Sequence, residues 1–426
     1  MAVPSLWQST ADPALSYPAL TDEVRSDVTI VGGGYTGLSA ALQIAKDGRR
    51  AVVLEADHVG WGASGRNGGL VSGKFRVPFH VVEAMHGREE ARRLHHIGKQ
   101  AVATVAELID EHGIGSANFK MSGYVTAAHS PQAFAAQHFA AEWLADALGD
   151  LSSRVLDRQE VAAEVGSSTY VGGVLSTAAG CLHPLNYVRG LARAAIAAGV
   201  HIFENSAAVS LQRQGHDIRV GTSQGAVRAR QLILATNGYS ADQPLTRGLR
   251  QRVIPFRSAI IATAPLSETL RMRILPNRRV VADTRRLLRW YRIVDDRLVF
   301  GGRGAFGQED SVAAFNRLAR DMIGAFPELD GVAIDYRWSG LVAMTMDQLP
   351  HAGELEDRVF FAAGYNGTGI AMSTFLGRQL AALTRGEKLH LGVIGRPLKP
   401  ILLQAFVTPA VRTVTGWYQL LDGIGR

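Results

Sequence analysis

The sequence predicts an α/β fold (α+β overall) in which a discontinuous Rossmann-like nucleotide-binding domain is combined with a second, antiparallel-sheet domain. Three observations support this prediction. Short apolar runs alternate with helices rich in alanine and leucine. A glycine-rich turn joins the first strand to the first helix of this pattern. A stretch over residues 252–304 has a different, β-rich character, and 426 residues are enough for two domains.

The α/β pattern starts with a strand at 27–31, a helix at 37–47 and a strand at 51–54. Farther along, the sequence predicts helices at 81–112, 131–148, 184–198 and 369–383, and strands at 119–127, 201–203, 231–235 and 359–363. Between them, a hairpin with strands at 287–294 and 297–301 is expected around the turn Asp295-Asp296. Antiparallel strands inserted in a parallel α/β chain indicate a second domain.

The first glycine motif is Gly32, Gly34 and Gly37 in the spacing G-x-G-x-x-G, with Tyr35 and Thr36 inside it. The first glycine permits a tight turn, the second lets the backbone approach a pyrophosphate, and the third allows close helix packing. The following helix offers free N–H groups to phosphates. The motif therefore predicts a dinucleotide site; the alternative is an ordinary glycine-rich turn.

An acidic residue, Glu55, ends the second strand and is followed by Ala56. A carboxylate in this place hydrogen-bonds the hydroxyls of an adenosine ribose and repels a 2′-phosphate, which argues against NADP. The alternative is a surface glutamate.

A second glycine-rich loop follows directly, over residues 60–69. A simple NAD-binding fold does not need such a loop here, whereas FAD extends farther across the sheet. We therefore predict FAD. The candidate cofactor residues of this loop are Gly62, Ala63, Ser64, Arg66, Asn67, Gly68 and Gly69.

Two later strands also end in small residues. The first ends in Ala235 and Thr236. The second leads into a glycine turn and a helix start, whose dipole would stabilise negative charge on a reduced flavin. An ordinary strand-turn-helix corner is the alternative. The candidate residues of this turn are Gly364, Asn366, Gly367, Thr368, Gly369 and Ile370.

Composition and charge exclude several classes of protein. The single cysteine, Cys181, rules out an internal disulfide and a thiolate metal cluster, and we predict no metal site. The 45 basic residues exceed the 38 acidic ones, but they are scattered, so we predict no nucleic-acid binding face. Residues 1–25 lack the pattern of a secretory signal, and no apolar run approaches the ~20 residues of a membrane span. We expect a cytoplasmic protein.

At these motifs the chain resembles the D-amino-acid oxidase / sarcosine oxidase family of FAD-dependent oxidoreductases. Residues 31–41, 54–56 and 62–69 look most like its gamma-glutamylputrescine oxidase branch. The likeness extends through residues 180–184, 335–340 and 364–369, and so covers nearly the whole chain.

The resemblance implies a cofactor domain built from three segments. We predict a FAD-binding domain at 26–90, 182–245 and 345–395, a substrate domain at 91–181 and 246–344, and a C-terminal tail at 396–426. It also implies that Val209 meets the adenine through its backbone.

Some family members bind flavin covalently, through a cysteine in the C-terminal third or a histidine in the first glycine loop. Here the one cysteine is Cys181 and residues 60–69 contain no histidine, so we predict non-covalent FAD. His183, before Pro184, is interpreted as a structural turn residue, with a polar contact to the flavin as the alternative.

The substrate side is expected on the hairpin. Side chains alternate along a strand, so Trp290 and Arg292 share one face while Arg289 and Tyr291 share the other. The resemblance implies that such strands cover the flavin and that an arginine or tyrosine holds a substrate carboxylate. Structural cross-strand pairs or salt bridges are the alternative. The candidate catalytic residues are Arg292, Tyr291, Trp290 and Tyr365.

These features predict an enzyme that removes a hydride from a C–N bond of an amine or amino-acid derivative, with oxygen or a redox partner as electron acceptor. Gamma-glutamylated diamines, N-methyl amino acids, opines and free amino acids remain possible substrates. The alternatives are a subunit of an opine- or sarcosine-type dehydrogenase complex, a flavin monooxygenase and a non-catalytic FAD-binding protein. The stretch 400–421 is expected to pack on the protein, with a membrane-surface helix as the alternative.

Overall fold

The fold is taken from a computed structural model that describes residues 4–305, 311–402 and 413. The strands in chain order are β1 (Glu23–Arg25), β2 (Val28–Val31), β3 (Ala51–Leu54), β4 (Leu70–Ser72), β5 (Tyr124–Ala128), β6 (Ser153–Leu156), β7 (Gly172–Ser176), β8 (Ala179–Cys181), β9 (His201–Phe203), β10 (Ser210–Gln214), β11 (Asp217–Gly221), β12 (Ala226–Ala229), β13 (Gln231–Leu234), β14 (Ile254–Thr263), β15 (Val280–Asp283), β16 (Arg289–Val294), β17 (Arg297–Ala305), β18 (Ile334–Met344), β19 (His351–Glu356) and β20 (Val359–Ala363). The helices are α1 (Leu6–Thr10), α2 (Tyr35–Lys46), α3 (Phe79–His86), α4 (Arg88–Glu111), α5 (Pro131–Leu148), α6 (Arg158–Val165), α7 (Pro184–Ala197), α8 (Arg247–Arg250), α9 (Glu268–Arg273), α10 (Val312–Ala325) and α11 (Gly369–Leu383).

A six-stranded sheet in the order β19-β20-β13-β2-β3-β9 forms the centre of the nucleotide-binding half. Its strands pair in parallel except at the β19–β20 edge. Strands β2, β3 and β20 are buried along their whole length, as expected for strands covered on both faces. Because parallel strands end at the same edge, the turns that follow β2, β3, β13 and β20 converge there.

Helices α2 and α11 pack closely on one side of this sheet. The Ser39 hydroxyl donates a hydrogen bond to the Thr374 carbonyl. A Cβ on Gly377 would lie 2.5 Å from the Thr36 carbonyl oxygen, so the two backbones leave no room for a side chain. This contact fixes the start of α11 next to the first glycine turn.

An eight-stranded sheet in the order β18-β14-β17-β16-β15-β5-β7-β6 forms the second half. All its pairs are antiparallel except β15–β5. One face packs on α10, with Phe300, Leu318 and Met322 in a separate hydrophobic core. The other face turns toward the parallel sheet. The predicted α/β fold with a second antiparallel sheet is therefore confirmed.

The division into domains stays a prediction. The expected boundary at residue 91 falls inside α4, which is one continuous helix packed on α11. A four-stranded sheet, β1-β12-β11-β10, and the β4–β8 pair complete the strands of the described residues. No helix in the described ranges combines the length and apolarity needed to cross a membrane. Apart from 400–402 and 413, the stretch 400–421 lies outside the described residues.

The N-terminal helix α1 closes the junction of the two halves. Trp7 is fully buried, and its indole N–H donates to the Asn67 carbonyl at 2.9 Å. Its ring meets the ring of His183 edge-on, with centroids 5.0 Å apart. His183 caps α7: its Nδ1 accepts the Asn186 N–H, so Nε2 carries the proton and donates to the Thr10 hydroxyl. This makes His183 a structural residue.

The environment of His183 predicts a pH-dependent stability. Burial, helped by the Arg292 guanidinium, lowers the pKa of His183 from 6.5 to about 4. A depressed histidine pKa means that the folded state prefers the neutral ring, so this stability is present above pH 6.5 and is lost as pH falls toward 4. Between about pH 7 and about pH 4.5, wild type should lose about 2 to 3 kcal/mol more than His183→Asn, which keeps a capping side chain but does not titrate.

Urea unfolding at the two pH values measures this difference. His201→Asn, at an exposed histidine, is the control and should behave as wild type. Equal losses in wild type and His183→Asn would contradict the assignment.

Candidate functional site

A cavity of about 830 Å³ lies where the carboxyl edge of the parallel sheet faces the eight-stranded sheet. This volume is at the upper end of the range for ligand pockets, about 300–1,000 Å³. The predicted residues that line it are Gly32, Gly34, Tyr35, Thr36, Glu55, Ala56, Gly62, Ala63, Ser64, Asn67, Gly68, Ala235, Thr236, Trp290, Tyr365, Asn366, Gly367, Thr368, Gly369 and Ile370.

The first glycine turn is held against β13 and the start of α2. Gly32 has φ +114°, and a Cβ there would lie 2.9 Å from the Ala235 carbonyl oxygen. Gly37 does not line the cavity, because it packs on the Gly32 carbonyl, where a Cβ would collide. Its role is the close packing of helix and turn, and the N-terminal end of α2 thereby faces the cavity.

Tyr35 ties the first glycine turn to the second glycine loop. Its hydroxyl donates to the Ser64 carbonyl at 2.6 Å, and its backbone N–H donates to the Ser64 hydroxyl. The Asn67 amide donates to the Tyr35 hydroxyl, and the Asn67 carbonyl oxygen of the side chain accepts the Gly69 N–H. Burial raises the pKa of Tyr35 far above its ordinary value, so the phenol stays a neutral donor.

Glu55 contacts the first glycine turn from the end of β3. One carboxylate oxygen accepts the Gly33 N–H at 2.7 Å and the other accepts the Asp57 N–H at 3.1 Å. Burial raises the pKa of Glu55, while these backbone hydrogen bonds lower it. Each carboxylate oxygen retains a further acceptor site, which suits the two hydroxyls of a ribose.

The turn after β20 completes the wall. The Tyr365 hydroxyl lies 2.6 Å from the Thr36 hydroxyl, and this hydrogen bond joins the first and last glycine turns. Asn366 has φ +55°, and its side-chain oxygen accepts the Thr345 N–H at 3.0 Å. Gly364 does not line the cavity; its N–H donates to the Asn237 side chain. Helix α11 then starts at Gly369, on the cavity wall.

The eight-stranded sheet covers the cavity with one face. Thr126 is paired with Ala282, and Ala282 is paired with Trp290, so these three side chains form a row across β5, β15 and β16. Tyr124 and Val280, which are paired two residues earlier, extend the same face. All five residues line the cavity.

Two of the predicted catalytic residues, Tyr291 and Arg292, lie outside the cavity lining. Tyr291 is fully buried on the opposite face of β16, in the separate core, where its hydroxyl donates to Tyr170 at 2.9 Å. Arg292 shares the face of Trp290, but its guanidinium donates to the carbonyls of Leu182 and Gly69. Neither residue lines the cavity. The predicted alternation of side chains along β16 is correct. Alternation does not show, however, which residues of one face are covered by other parts of the chain.

Besides Gly37 and Gly364, three more predicted cofactor residues lie outside the cavity lining. The Arg66 Nε donates to the Trp61 carbonyl at 2.7 Å, and the guanidinium covers the Trp61 ring. Gly69 packs against Leu182 and Arg292. Val209 is 44% exposed and its N–H is bonded to the Gly221 carbonyl; its neighbours Ala207 and Ala208 line the cavity instead.

One charged residue that the sequence did not point to, Lys74, lines the cavity below the eight-stranded sheet. Its ammonium donates to the Thr126 hydroxyl at 3.2 Å and lies 4.5 Å from the centre of the Tyr124 ring. Burial lowers its pKa to about 8. Lys74 follows the short strand β4 in a loop without periodicity, and its contacts come from a strand some fifty residues later, so no local pattern indicates it.

Comparison with known proteins identifies the group that this cavity accommodates. The family described as "DAO: FAD dependent oxidoreductase" matches residues 27–383. The chain is similar to the Probable oxidoreductase OrdL of Haemophilus influenzae, at 32% identity over 99% of this chain and 97% of that protein. It is also similar to the Gamma-glutamylputrescine oxidoreductase of Escherichia coli, at 33% identity over 90% of this chain and 89% of that protein.

Among solved structures, glycine oxidase from Geobacillus kaustophilus has a similar fold. The TM-score is 0.73 at 21% sequence identity, covering 89% of this chain and all of that one. This likeness concerns the fold.

The residues of the cavity fit FAD. Gly32, Gly33 and Gly34 line the cavity at the N-terminal end of α2, where a pyrophosphate is favoured. A Cβ on Gly34 would lie 2.8 Å from the Ser64 hydroxyl, so the turn and the second glycine loop pack together only with glycine at this position. Glu55 has acceptor sites left for ribose hydroxyls. Cys181 does not line the cavity; non-covalent binding stays a prediction. The described residues contain no group of three or more side chains that could hold a metal ion.

Glu55→Gln tests the ribose contact. The substitution removes the charge that strengthens the hydrogen bonds, worth about 1.5–3 kcal/mol for a bond to a charged group. The affinity of the apoprotein for FAD should therefore fall roughly ten- to a hundredfold. Flavin is removed from the wild type and both variants with high bromide, and FAD is titrated back by following the quenching of flavin fluorescence.

Asp57→Asn is the matched control. Its carboxylate is half-exposed and contacts His58, while its backbone N–H, which binds Glu55, is retained. This variant should bind FAD within about threefold of wild type, a margin below 1 kcal/mol. Unchanged FAD affinity in Glu55→Gln would remove Glu55 from the site.

Proposed function

This chain belongs to the family of FAD-dependent oxidoreductases, and we propose that it oxidises a C–N bond in an amine or amino-acid derivative. Gamma-glutamylated amines and N-substituted amino acids are the candidate substrates, and the product would be an imine that hydrolyses in water. The similarity to the Gamma-glutamylputrescine oxidoreductase of Escherichia coli over nine-tenths of the chain supports this range of substrates.

The observation that carries the proposal is one continuous cavity that has a nucleotide end and an end covered by the eight-stranded sheet. Glu55 and the first glycine turn line the nucleotide end. The face of the eight-stranded sheet lines the other end with Val280, Ala282, Leu288 and Trp290. A small molecule held under this sheet lies beside the cofactor and away from bulk water.

When bound, FAD accepts the hydride equivalent. The residues of the chain then have to position the substrate and to stabilise charge. Glu55 is the one carboxylate among the described residues that line the cavity, and it lies at the nucleotide end. No lining carboxylate is therefore placed to act as a base at the covered end, which suits an amine that enters the reaction in its neutral form.

Helix α11 contributes electrostatic stabilisation. It is a 15-residue helix whose first residue, Gly369, lies on the cavity wall, and its N-cap residue Thr368 has no side-chain capping bond. The free backbone N–H groups of its first turn and the positive end of its dipole favour negative charge in the cavity. Negative charge on a group bound next to the start of α11 is therefore stabilised by the helix itself, without an additional cationic side chain.

We further propose a cytoplasmic location and either oxygen or a redox partner as acceptor. Cys181 is a free thiol that lies near the Ser122 hydroxyl, as a reducing compartment allows.

Anaerobic mixing with a panel of substrates tests the reaction. The panel contains a gamma-glutamylated diamine, an N-methyl amino acid, an opine, free amino acids and a simple diamine. We expect one of the amino-acid derivatives to bleach the visible band of the oxidised flavin. Admitting air afterwards separates the acceptors: rapid return of the band indicates oxygen, and slow return indicates a partner. A well-formed holoprotein that none of these compounds bleaches would contradict the proposal.

Trp290→Phe tests the covering sheet. The tryptophan ring covers Gly68, where a Cβ would lie 2.5 Å from it. A smaller ring therefore loosens the packing between the glycine loop and the face of the eight-stranded sheet that covers the cavity, which we call the roof. Small displacements of a bound substrate are costly, and we expect flavin reduction to slow by about tenfold or more. FAD should remain bound. The rate constant for reduction is measured by stopped-flow absorbance.

Ile293→Val is the control, because Ile293 lies on the same strand with its side chain in the separate core. Its reduction rate should stay within about twofold of wild type. Equal rates for Trp290→Phe and wild type would show that the roof does not position the substrate.

A further inference from the structure

The covered end of the cavity is positively charged. The charged side chains that line it are Lys74 and Arg76, and the described lining residues provide no acidic side chain at this end. Arg76 is directed to Gln348, whose side-chain oxygen accepts its Nε–H at 2.9 Å. Within the described ranges Lys74 forms no salt bridge, and the one hydrogen bond of its ammonium goes to the neutral Thr126 hydroxyl.

The position of Lys74 is fixed against the roof. The ammonium lies over the Tyr124 ring, and Thr126 holds it from the same strand. Thr126 is two strands away from Trp290 in the paired row through Ala282. Because neighbouring strands lie about 4.8 Å apart, the Thr126 backbone, whose side chain binds the lysine, lies about 10 Å from the Trp290 backbone.

The arginine expected for a substrate carboxylate is not available. Arg292 is 4% exposed, and its donors are directed to the carbonyls of Leu182 and Gly69 below the roof. The other face of the strand carries Tyr291, which lies in the separate core. A carboxylate that enters the covered end therefore meets Lys74 and Arg76 from the loop after β4 and not an arginine from the roof.

We propose that Lys74 determines substrate specificity: its ammonium binds a carboxylate of the substrate and repels a second ammonium, so that the substrate is an amine that also bears a carboxylate and not a free diamine. This inference rests on the proposed oxidation of a C–N bond. A lysine ammonium has two further donors beyond the one given to Thr126, enough for both oxygens of a carboxylate. The apolar surroundings strengthen such a charge pair.

Binding of an unreactive ligand pair tests the charge directly. Butyrate and butyramide have similar shapes, differ in charge and contain no amine to oxidise. Each is titrated into the oxidised holoprotein at constant ionic strength while the perturbation of the flavin absorption spectrum is followed. Wild type should bind butyrate at least about tenfold more tightly than butyramide, which is about 1.4 kcal/mol. Lys74→Gln should lose this preference, and Lys74→Arg should keep most of it.

Lys120→Gln is the matched control, since it removes one lysine charge at an exposed position outside the cavity lining. It should keep the butyrate preference of wild type. Lys74→Gln that binds butyrate as tightly as wild type would overturn the proposal, as would a wild type that binds the two ligands equally.

The pH dependence provides a signature that a structural role would not give. Because anion binding needs the protonated amine and the Lys74 pKa is about 8, butyrate affinity should be constant between about pH 6 and about pH 8, where the ligand stays ionised, and fall about tenfold per pH unit above that range. Lys74→Arg should lose this fall, because guanidinium stays charged.

The other titratable groups around Lys74 do not imitate this signature. Tyr124 under the ammonium has a pKa of about 12. Arg76 and Arg292 stay charged. Asp283 is buried on the far face of β15, paired with Arg285. Cys181 on β8 is retained in every variant, so a pH effect that disappears in Lys74→Arg belongs to Lys74.

The two proposals fail in different ways. If butyrate binds through Lys74 but no amine bleaches the flavin, the proposed function is wrong and the carboxylate site remains. If amines bleach wild type and Lys74→Gln with the same KM, the specificity role is wrong and the proposed function remains. Preferred bleaching by a free diamine would likewise contradict the role of Lys74.

Discussion

The close contact between the second glycine loop and strand β16 joins the two halves of the molecule. A Cβ on Gly68 would lie 2.5 Å from the Trp290 ring, and a Cβ on Gly69 would reach the Arg292 guanidinium. The backbone of the loop therefore lies directly below the roof, and any side chain at these two positions would separate the sheets. The height of the cavity, and with it the room for a flat cofactor and a small substrate, is set by this contact.

The buried charge of Arg292, which lies below the roof, explains why the N-terminal helix α1 is part of the site. Arg292 is almost fully buried and forms no ion pair with an acidic side chain among the described residues; its charge is balanced by two backbone carbonyls and by the face of the Trp7 ring, 5.3 Å away. A second charge nearby would be costly, because attraction and repulsion are both stronger in a low dielectric. His183 accordingly stays neutral, and its two nitrogens serve α7 and Thr10. Helix α1 thus stabilises the glycine loop and the roof together.

Local backbone requirements made the nucleotide end predictable from the sequence. A turn at φ +114°, such as that of Gly32, and a helix that touches a turn, as at Gly37, need glycine at fixed spacing, and Glu55 follows at the expected distance. The roof could not be predicted in the same way. The alternation of side chains along the strand predicts that Trp290 and Tyr291 lie on opposite faces. Only the pairing of β16 with β15, and of β15 with β5, shows which of these faces lines the cavity. Strand pairing between distant segments leaves no local pattern.

The two ends of the cavity carry opposite charges, and these charges favour a different ligand at each end. The carboxylate of Glu55 accepts hydroxyl groups and repels phosphate, so a ribose belongs at that end and the pyrophosphate belongs at the start of α2. The cation of Lys74 at the covered end has the opposite preference. With the proposed role of Lys74, a dinucleotide and an anionic amine are each stabilised at one end of the cavity. In this proposal, the position of the substrate relative to the cofactor follows from the carboxylate at one end and from the cations of Lys74 and Arg76 at the other, while the roof supplies shape and excludes water between them.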